Sequence, residues 1–320
     1  MWREVAIEKI AQRCGQQHFG VVAGVVTGHF KFWDENEGAG HVVWTRGDMK
    51  RYTHIIYLDI DPEVIYTQRL EDTGRMRRHT TVEHLKKWQK TEKAELRQLC
   101  RDNDKLFISV APIGLNLVYR VWQLLLDFRL HTEESNLSRA KNHLNDWVQG
   151  RHWRTILVLD ADRTLTAEDT GRLFWKIASR RFPGVVSGIE LVELFNSQLG
   201  YTYTAFRQAV LLYEEACSSD EFDQLCEEVA SVVVMHPKFH WLLSWVKEHR
   251  RVGAVVITCG LRRIWEKIEK ACLEDSARII GGGRIEELYV ITPEVKASLV
   301  HHLREIHKLH VWIFGDSPLD

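Results

Sequence analysis

Residues 156–165 constrain the fold of this chain most strongly, because four aliphatic side chains run directly into two closely spaced aspartates. A continuous apolar run of this length is typical of a strand buried on both faces of a parallel sheet. The strand ends at Asp160, and Asp162 follows two residues later. Open α/β sheets bind ligands at this end of their strands. Two adjacent carboxylates there need a neutralising partner, although the pattern also fits a strand ending in a solvated acidic turn.

Further polar residues follow later apolar runs or begin a helical pattern. They are, in chain order, Thr258 with Cys259 and Gly260, then Lys296, then Asp316 and Asp320. Together with residues 160–164 they form the series D-x-D-x-T, a strand-end threonine, a lysine and G-D-x-x-x-D. Each motif is weak evidence alone, and the ordered set is much stronger.

This ordered set resembles the haloacid dehalogenase (HAD) superfamily of phosphohydrolases, over about residues 154–320. The resemblance implies an α/β fold with a Rossmannoid parallel sheet. It implies that Asp160 is the nucleophile that takes the phosphoryl group, and that Asp162 protonates the leaving alcohol and then activates water. Arg163 departs from the glycine common at its position in the superfamily, a position that is not itself catalytic.

The same resemblance assigns the phosphate and metal ligands. Thr258 would donate its hydroxyl to the phosphoryl group, helped by the amide of Cys259 or Gly260, and Lys296 would neutralise the phosphoryl oxygens and Asp160. The implied cofactor is Mg²⁺, which prefers oxygen ligands in octahedral geometry. Its expected ligands are Asp160, the backbone carbonyl of Asp162, Asp316 and Asp320.

Helical patterns fill residues 166–250, between the first and second motifs. This insertion resembles the cap of the phosphoserine-phosphatase-like branch of the superfamily, and such a cap excludes water and selects the substrate. An unrelated helical domain inserted at a loop is the alternative. Farther along, Gly281, Gly282 and Gly283 lack the spacing of a phosphate-binding loop. We expect a hairpin or loop there, before residues 288–291.

The first half of the chain has a different pattern. Strands are predicted at residues 19–26, 53–60 and 105–110, with a helix starting at Pro62 and a long charged helix over residues 81–99. This order resembles the second half of a P-loop small-molecule kinase. A basic segment containing Arg75, Arg77 and Arg78 would then form the lid over phosphates, or else a solvated basic loop.

The sequence contains no G-x-x-x-x-G-K-[ST] motif and no Gly-Lys dipeptide. Without that loop, nothing supplies the backbone amides and the lysine that hold the β- and γ-phosphates. We therefore expect no kinase activity. The expected domains are an incomplete P-loop kinase-like domain at residues 1–115, a helical linker at 116–152 and a HAD-like domain at 153–320. This layout resembles fungal multidomain proteins that join two such domains, and relative to them both ends are expected to be truncated.

Charge and composition limit the classes of partner that the chain is expected to bind. The chain has 43 lysines and arginines against 44 aspartates and glutamates, so an overall basic surface for nucleic acid or an anionic membrane is not expected. No apolar run approaches the length of a membrane span. The six cysteines include no C-x-x-C pair, which is typical of reduced thiols in a cytoplasmic or nuclear protein.

Three functions remain open from the sequence. The first is a Mg²⁺-dependent phosphatase acting on a small phosphorylated metabolite. The second is a catalytically weak or inactive binding or regulatory module. The third is a kinase–phosphatase acting on nucleic-acid ends, which the neutral charge and the helical insertion disfavour.

Overall fold

The structure is a computed structural model, and it describes residues 2–15, 23–74, 79–112, 117–182, 188–272 and 277–317. The chain divides into two compact units, Met1–Leu130 and His131–Asp320. Each unit is an α/β structure with a parallel strand pairing, as the sequence predicted. The boundaries expected at residues 115 and 153 stay predictions. Within the described residues, no helix is both long enough and apolar enough to span a membrane.

The first unit contains a short antiparallel hairpin and a pair of parallel strands. Its strands are β1 (Lys31–Phe32), β2 (His41–Val42), β3 (His54–Leu58) and β4 (Leu106–Val110). Its helices are α1 (Trp2–Gly15), α2 (Arg46–Arg51), α3 (Pro62–Glu71), α4 (Val82–Asp102) and α5 (Leu117–Leu130). Parallel strands need a crossover connection, and α3 and α4 supply it between β3 and β4. The predicted strands β3 and β4 and the helix beginning at Pro62 are confirmed.

Helix α4 illustrates why these segments fold as they do. Thr81 caps its first turn by accepting a hydrogen bond from the N–H of His84. Leu96 and Cys100 lie one turn apart, so both face inward and pack against Phe107 of β4. Half of the strand expected at residues 19–26 lies outside the described residues, and its described half, 23–26, is not a strand. Arg75, Arg77 and Arg78 also lie outside the described residues.

The second unit is built on a four-stranded parallel sheet with the order β7-β6-β5-β8. The strands are β5 (Thr155–Leu159), β6 (Val252–Leu261), β7 (Arg278–Gly282) and β8 (His310–Phe314). In β5, Leu159 pairs with Val256 on one side and with Phe314 on the other. All four aliphatic residues of this central strand are at least 96% buried. This confirms the prediction of a strand buried on both faces.

Helices surround this sheet. They are α6 (Glu133–Val148), α7 (Thr170–Arg181), α8 (Ile189–Phe195), α9 (Tyr203–Ala216), α10 (Ser219–Val232), α11 (Pro237–Glu248), α12 (Arg262–Cys272) and α13 (Pro293–Glu305). Helices α7 to α11 lie between β5 and β6, and the described residues of that stretch contain no strand, only an isolated bridge between Thr166 and Met235. Phe174 and Leu212 of these helices share one apolar cluster with Leu159 of the sheet. The inserted helices therefore belong to the same hydrophobic core as the strands.

The prediction of a hairpin or loop at the three consecutive glycines was wrong for the first two. Gly281 and Gly282 lie in β7, which pairs in parallel with β6, whereas Gly283 begins a loop that continues through residues 288–291. A Cβ atom on Gly281 would lie 2.8 Å from the Thr258 side chain and 3.2 Å from Cβ of Arg262. The glycine thus permits a close approach of β7 to β6. Glycine usually weakens a strand, which is why the local pattern suggested a loop.

Candidate functional site

The site begins with a buried ion pair at the carboxyl end of β5. The Nζ atom of Lys296 donates to Oδ1 of Asp160 at 2.6 Å, across 136 residues of sequence. The side chains are only 3% and 11% exposed, respectively. Lys296 lies in the first turn of α13, where Thr292 caps the helix by accepting from the N–H of Val295 at 3.2 Å. The capped helix thereby brings an ammonium group directly against the strand-end carboxylate.

Asp160 is also held by its backbone and by its second carboxylate oxygen. Its N–H donates to the carbonyl oxygen of Phe314 at 2.8 Å, which extends the pairing of β5 with β8 beyond the strand. The hydroxyl of Thr164 donates to Oδ2 at 3.2 Å. Both oxygens of this carboxylate therefore have a donor, so the side chain is oriented rather than free to rotate.

Asp162 is partly buried beside the start of the helical insertion. Burial raises the pKa of its carboxyl group to about 6, while a hydrogen bond from the backbone N–H of Thr170 acts in the opposite direction. That N–H donates to Oδ1 at 2.7 Å. Thr170 is the first residue of α7, so the helical insertion begins in contact with this carboxylate. A carboxyl group with such a pKa can both give and take a proton near neutral pH.

The end of β6 lies against Asp162. Thr258 is 1% exposed, and its hydroxyl oxygen accepts the N–H of Gly260 at 2.9 Å. A Cβ atom on Gly260 would lie only 2.6 Å from Oδ2 of Asp162 and 3.2 Å from the Thr258 hydroxyl oxygen. Cys259 is half-buried between them in sequence. The structure therefore brings the ends of β5 and β6 and the first turn of α13 together, as the motif order predicted.

Asp316 follows β8 by two residues and is exposed. Because β8 pairs in parallel with β5, the carboxyl ends of the two strands lie at the same edge of the sheet. Asp160 and Asp316 therefore both follow strands at that edge. Asp320, the other residue expected there, lies outside the described residues.

The residues present fit Mg²⁺ by ligand type. Asp160 and Asp316 offer carboxylate oxygens, and the side chain of Asp162 is engaged by Thr170, so its contribution would be the backbone carbonyl oxygen. Hard oxygen donors are what Mg²⁺ requires. Among the described residues, no group of three or more His, Cys, Asp or Glu side chains forms a metal cluster. Asp320, the third carboxylate expected in the site, lies outside those residues.

Arg163 has a left-handed backbone, with φ of 61°. This conformation favours glycine, which explains physically why glycine is common there in the superfamily. Here the arginine is accommodated by its N–H, which donates to the carbonyl oxygen of Glu168 at 3.1 Å, and by a long contact with Asp169.

Sequence reasoning missed Thr170. Asp169 immediately before it is a helix-capping residue, and this signal could have placed a helix N-terminus near Asp162. It could not have shown which carboxylate that first amide would meet.

Comparison with known proteins finds two family models that match parts of this chain. A family model described as haloacid dehalogenase-like hydrolase matches residues 157–320. A model described as AAA domain matches residues 1–86, which agrees with a P-loop-like first unit. No curated protein sequence matches the chain.

Two solved structures show the level of structural likeness. L-2-haloacid dehalogenase from Xanthobacter autotrophicus, with chloropropionic acid covalently bound, is 14% identical with a TM-score of 0.31, covering 50% of this chain and 69% of that chain. A HAD family hydrolase from Salmonella enterica serovar Typhi is 14% identical with a TM-score of 0.30. The match covers 54% of this chain and 63% of that chain. These similarities are too low to carry an argument about function. The family model, by contrast, spans just over half of the sequence and includes every motif of the site. The chain therefore belongs to the haloacid dehalogenase-like hydrolase family.

Proposed function

We propose that the chain is a Mg²⁺-dependent phosphomonoester hydrolase that acts on a small phosphorylated metabolite through a phosphoryl group carried by Asp160. The observation that carries this proposal is the buried contact of Lys296 with Asp160 at 2.6 Å. A carboxylate can attack an anionic phosphate only when nearby positive charge offsets the repulsion. Lys296 supplies such a charge at the carboxylate itself.

In the first step, an oxygen of Asp160 forms a bond to phosphorus while the bond between phosphorus and the alcohol oxygen breaks. Asp162 gives its proton to the departing alcohol. Its pKa of about 6 leaves a protonated fraction near neutral pH. Bound Mg²⁺ would offset charge on the phosphoryl oxygens.

In the second step, Asp162 takes a proton from a water molecule, which attacks phosphorus. The bond between phosphorus and Asp160 breaks, so inorganic phosphate leaves and the carboxylate is restored. The Thr258 hydroxyl, oriented by the N–H of Gly260, donates to a phosphoryl oxygen in both steps. The amide of Cys259 or Gly260 completes that phosphate site.

The helical insertion supports a small substrate. Its first helix touches Asp162 through Thr170, and its helices pack into the core of the sheet. An insertion that contacts the acid–base group is well placed to select what reaches it. We therefore propose a cap function for residues 166–250, with phosphoserine-like compounds among the substrates to test.

The test is hydrolysis of p-nitrophenyl phosphate by the whole chain, with Mg²⁺ and with EDTA. Activity should require Mg²⁺, and Asp160→Asn should lower kcat by about 1,000-fold or more. Asp59→Asn, at the end of β3 in the first unit, is the matched control and should leave kcat unchanged.

Circular dichroism of each variant verifies folding. Equal turnover by a folded Asp160→Asn variant would contradict the mechanism. A folded chain that hydrolyses neither p-nitrophenyl phosphate nor a panel of small phosphomonoesters would favour a binding or regulatory module.

A further inference from the structure

Residues 283–292 connect β7 to α13 and so lead directly to Lys296. We call this segment the β7–α13 loop. It carries no assigned chemistry, yet its polar groups make buried contacts with several helices of the same unit. The strongest of these contacts involve Arg284, near its beginning.

Arg284 forms a buried, two-pronged ion pair with Glu214 of helix α9. Its Nε donates to Oε1 at 2.9 Å and its Nη2 to Oε2 at 2.5 Å. The side chains are 6% and 7% exposed. The remaining nitrogen, Nη1, donates to the carbonyl oxygens of Cys217 at 3.0 Å and Ser218 at 3.1 Å. One guanidinium group thus binds both the last turn of α9 and the start of α10.

Glu214 also fixes the backbone of the loop. Its Oε1 accepts the N–H of Ile285 at 3.0 Å. The inserted helices and the β7–α13 loop are therefore joined by side-chain and backbone hydrogen bonds at the same point. Charged groups this deeply buried are costly unless their hydrogen bonds are satisfied, and here the guanidinium uses all three of its nitrogens.

Two other helices hold the middle and end of the loop. Arg263 of α12 pairs with Glu286 and with Glu287, the latter at 3.3 Å. Asn136 of α6, 3% exposed, donates to the carbonyl oxygen of Val290 at 2.9 Å and accepts its N–H at 2.8 Å. The amide side chain thereby pairs with Val290 as a neighbouring strand would.

The loop ends where α13 begins. Its last residue, Thr292, caps that helix, and its carbonyl oxygen accepts the N–H of Lys296 at 2.9 Å. The path from the ion pair to the catalytic ammonium is thus a short segment with defined contacts along its length. A displacement at Arg284 would be transmitted to the start of the helix that presents Lys296.

We propose that Arg284 and Glu214 are positioning residues for catalysis: by joining helix α9 to the β7–α13 loop, they set the position of Lys296 against Asp160. The inference rests on the proposed phosphatase function for its rate readout. Buried ion pairs can often be replaced by apolar residues without loss of stability. A positioning role therefore predicts that such a replacement preserves folding while lowering the rate.

The decisive variant is the double replacement Glu214→Leu with Arg284→Met, which leaves no unpaired buried charge. We expect a folded protein whose kcat is lower by about 10- to 100-fold, because small misplacements of reacting groups cost rate steeply, with little change in KM. The single variant Arg284→Lys keeps the charge but loses the two-pronged geometry. Its kcat should lie between that of the double variant and that of the unchanged protein.

The matched control is the double replacement Arg181→Met with Glu228→Leu. This more exposed pair joins α7 to α10 at 2.8 Å, within the same helical insertion but away from the loop. Its kcat should be unchanged. Full kcat in the folded Glu214→Leu, Arg284→Met protein would overturn the proposal.

Hydrogen exchange provides a readout that does not need turnover. In the double variant, amides of residues 284–296 should exchange about tenfold faster or more, while those of β5 and the control variant keep their rates. Unchanged exchange in this segment would overturn the positioning role. Absence of Mg²⁺-dependent turnover in the unchanged protein would instead defeat the proposed function, and exchange alone would then decide whether the pair controls the loop.

Discussion

Each unit of the molecule places an aspartate at the end of a parallel strand and an ammonium group beside it. After β3, Lys93 donates to Asp59 at 2.5 Å, and after β5, Lys296 donates to Asp160 at 2.6 Å. The exposed fractions differ sharply. The first pair is 31% and 25% exposed, whereas the second is 3% and 11% exposed. Water screens the first pair, so its charges act weakly on their surroundings.

The likeness extends to the backbone and to the next carboxylate. The N–H of Asp59 donates to Val110 at the end of the neighbouring strand, as that of Asp160 does to Phe314. Both aspartates begin a D-x-D sequence. In the first unit, however, the second member, Asp61, caps α3 by accepting from the N–H of Glu63 at 2.7 Å.

Asp162, by contrast, is partly buried and lies against Gly260. The difference teaches that a strand-end D-x-D pattern becomes a candidate catalytic site only where other elements converge on it and exclude water.

The largest expected difference is between the two lysines. Lys296→Met should lower kcat by about 100-fold or more and the free energy of unfolding by about 3 kcal/mol, because Asp160 is left buried without its ion-pair partner. Lys93→Met should cost less than about 1 kcal/mol, because water solvates Asp59. Urea unfolding measures the stability of the two variants, and p-nitrophenyl phosphate hydrolysis measures their kcat. Equal losses of stability would break the comparison.

The next largest effect is expected from adding a methyl group to a glycine that is closely packed at the strand ends. In Gly260→Ala the new methyl group would lie 2.6 Å from Oδ2 of Asp162. We therefore expect the free energy of unfolding to fall by about 1–3 kcal/mol and most phosphatase activity to be lost. A methyl group added at Gly38, in the first unit, would meet none of the described atoms within 4 Å, and Gly38→Ala should raise stability slightly or leave it unchanged. Thermal unfolding distinguishes the two. A fully active Gly260→Ala protein would show that Asp162 can move away from β6.

Acidification should affect the two units in opposite directions. Burial lowers the pKa of His131, which begins the second unit, to about 4, and burial raises the pKa of Glu92 in the first unit. The unfolded chain protonates His131 below its ordinary pKa of 6.5, so the contribution of His131 is present above that pH and lost as pH falls toward 4. The contribution of Glu92 is fully present below 4.5 and lost as pH rises through its higher folded pKa.

The measurement compares unfolding free energies of the unchanged chain with His131→Gln and Glu92→Gln between about pH 7.5 and pH 5. Relative to His131→Gln, the unchanged chain should lose about 1 kcal/mol on acidification, since water partly screens this imidazole. Relative to Glu92→Gln, the unchanged chain should gain stability on acidification. A difference that does not depend on pH for His131→Gln would show that this histidine protonates equally in both states.

The smallest expected effect concerns backbone strain at two residues with a left-handed conformation. Arg163 and Asp104, one in each unit, have φ of 61° and 53°. Arg163→Gly should stabilise by about 0.5–1 kcal/mol, because a left-handed conformation is unfavourable for a long side chain. Asp104→Gly should change stability less, because aspartate tolerates that region. Thermal unfolding tests both, and a destabilised Arg163→Gly protein would indicate that the contact with Asp169 outweighs the strain.

Much of the architecture followed from local patterns. The apolar run before Asp160 predicted a doubly buried strand, helical periodicity predicted α7 to α11, and the motif order predicted that Asp160 and Lys296 would meet. These predictions succeed because strand and helix periodicities are properties of neighbouring residues, and because parallel strands place their carboxyl ends at one edge. The expected kinase-like order of the first unit rested on the same kind of evidence.

Other features depended on contacts between residues far apart in the sequence. The sequence by itself determined the order of strands and helices and the candidate reactive groups. Only the tertiary structure decided that Gly281 lies in a strand, that Asp162 lies against Gly260 while Asp61 caps a helix, and that Arg284 meets Glu214. Burial and ion pairing depend on which surfaces pack together, and no local periodicity encodes a partner 70 residues away.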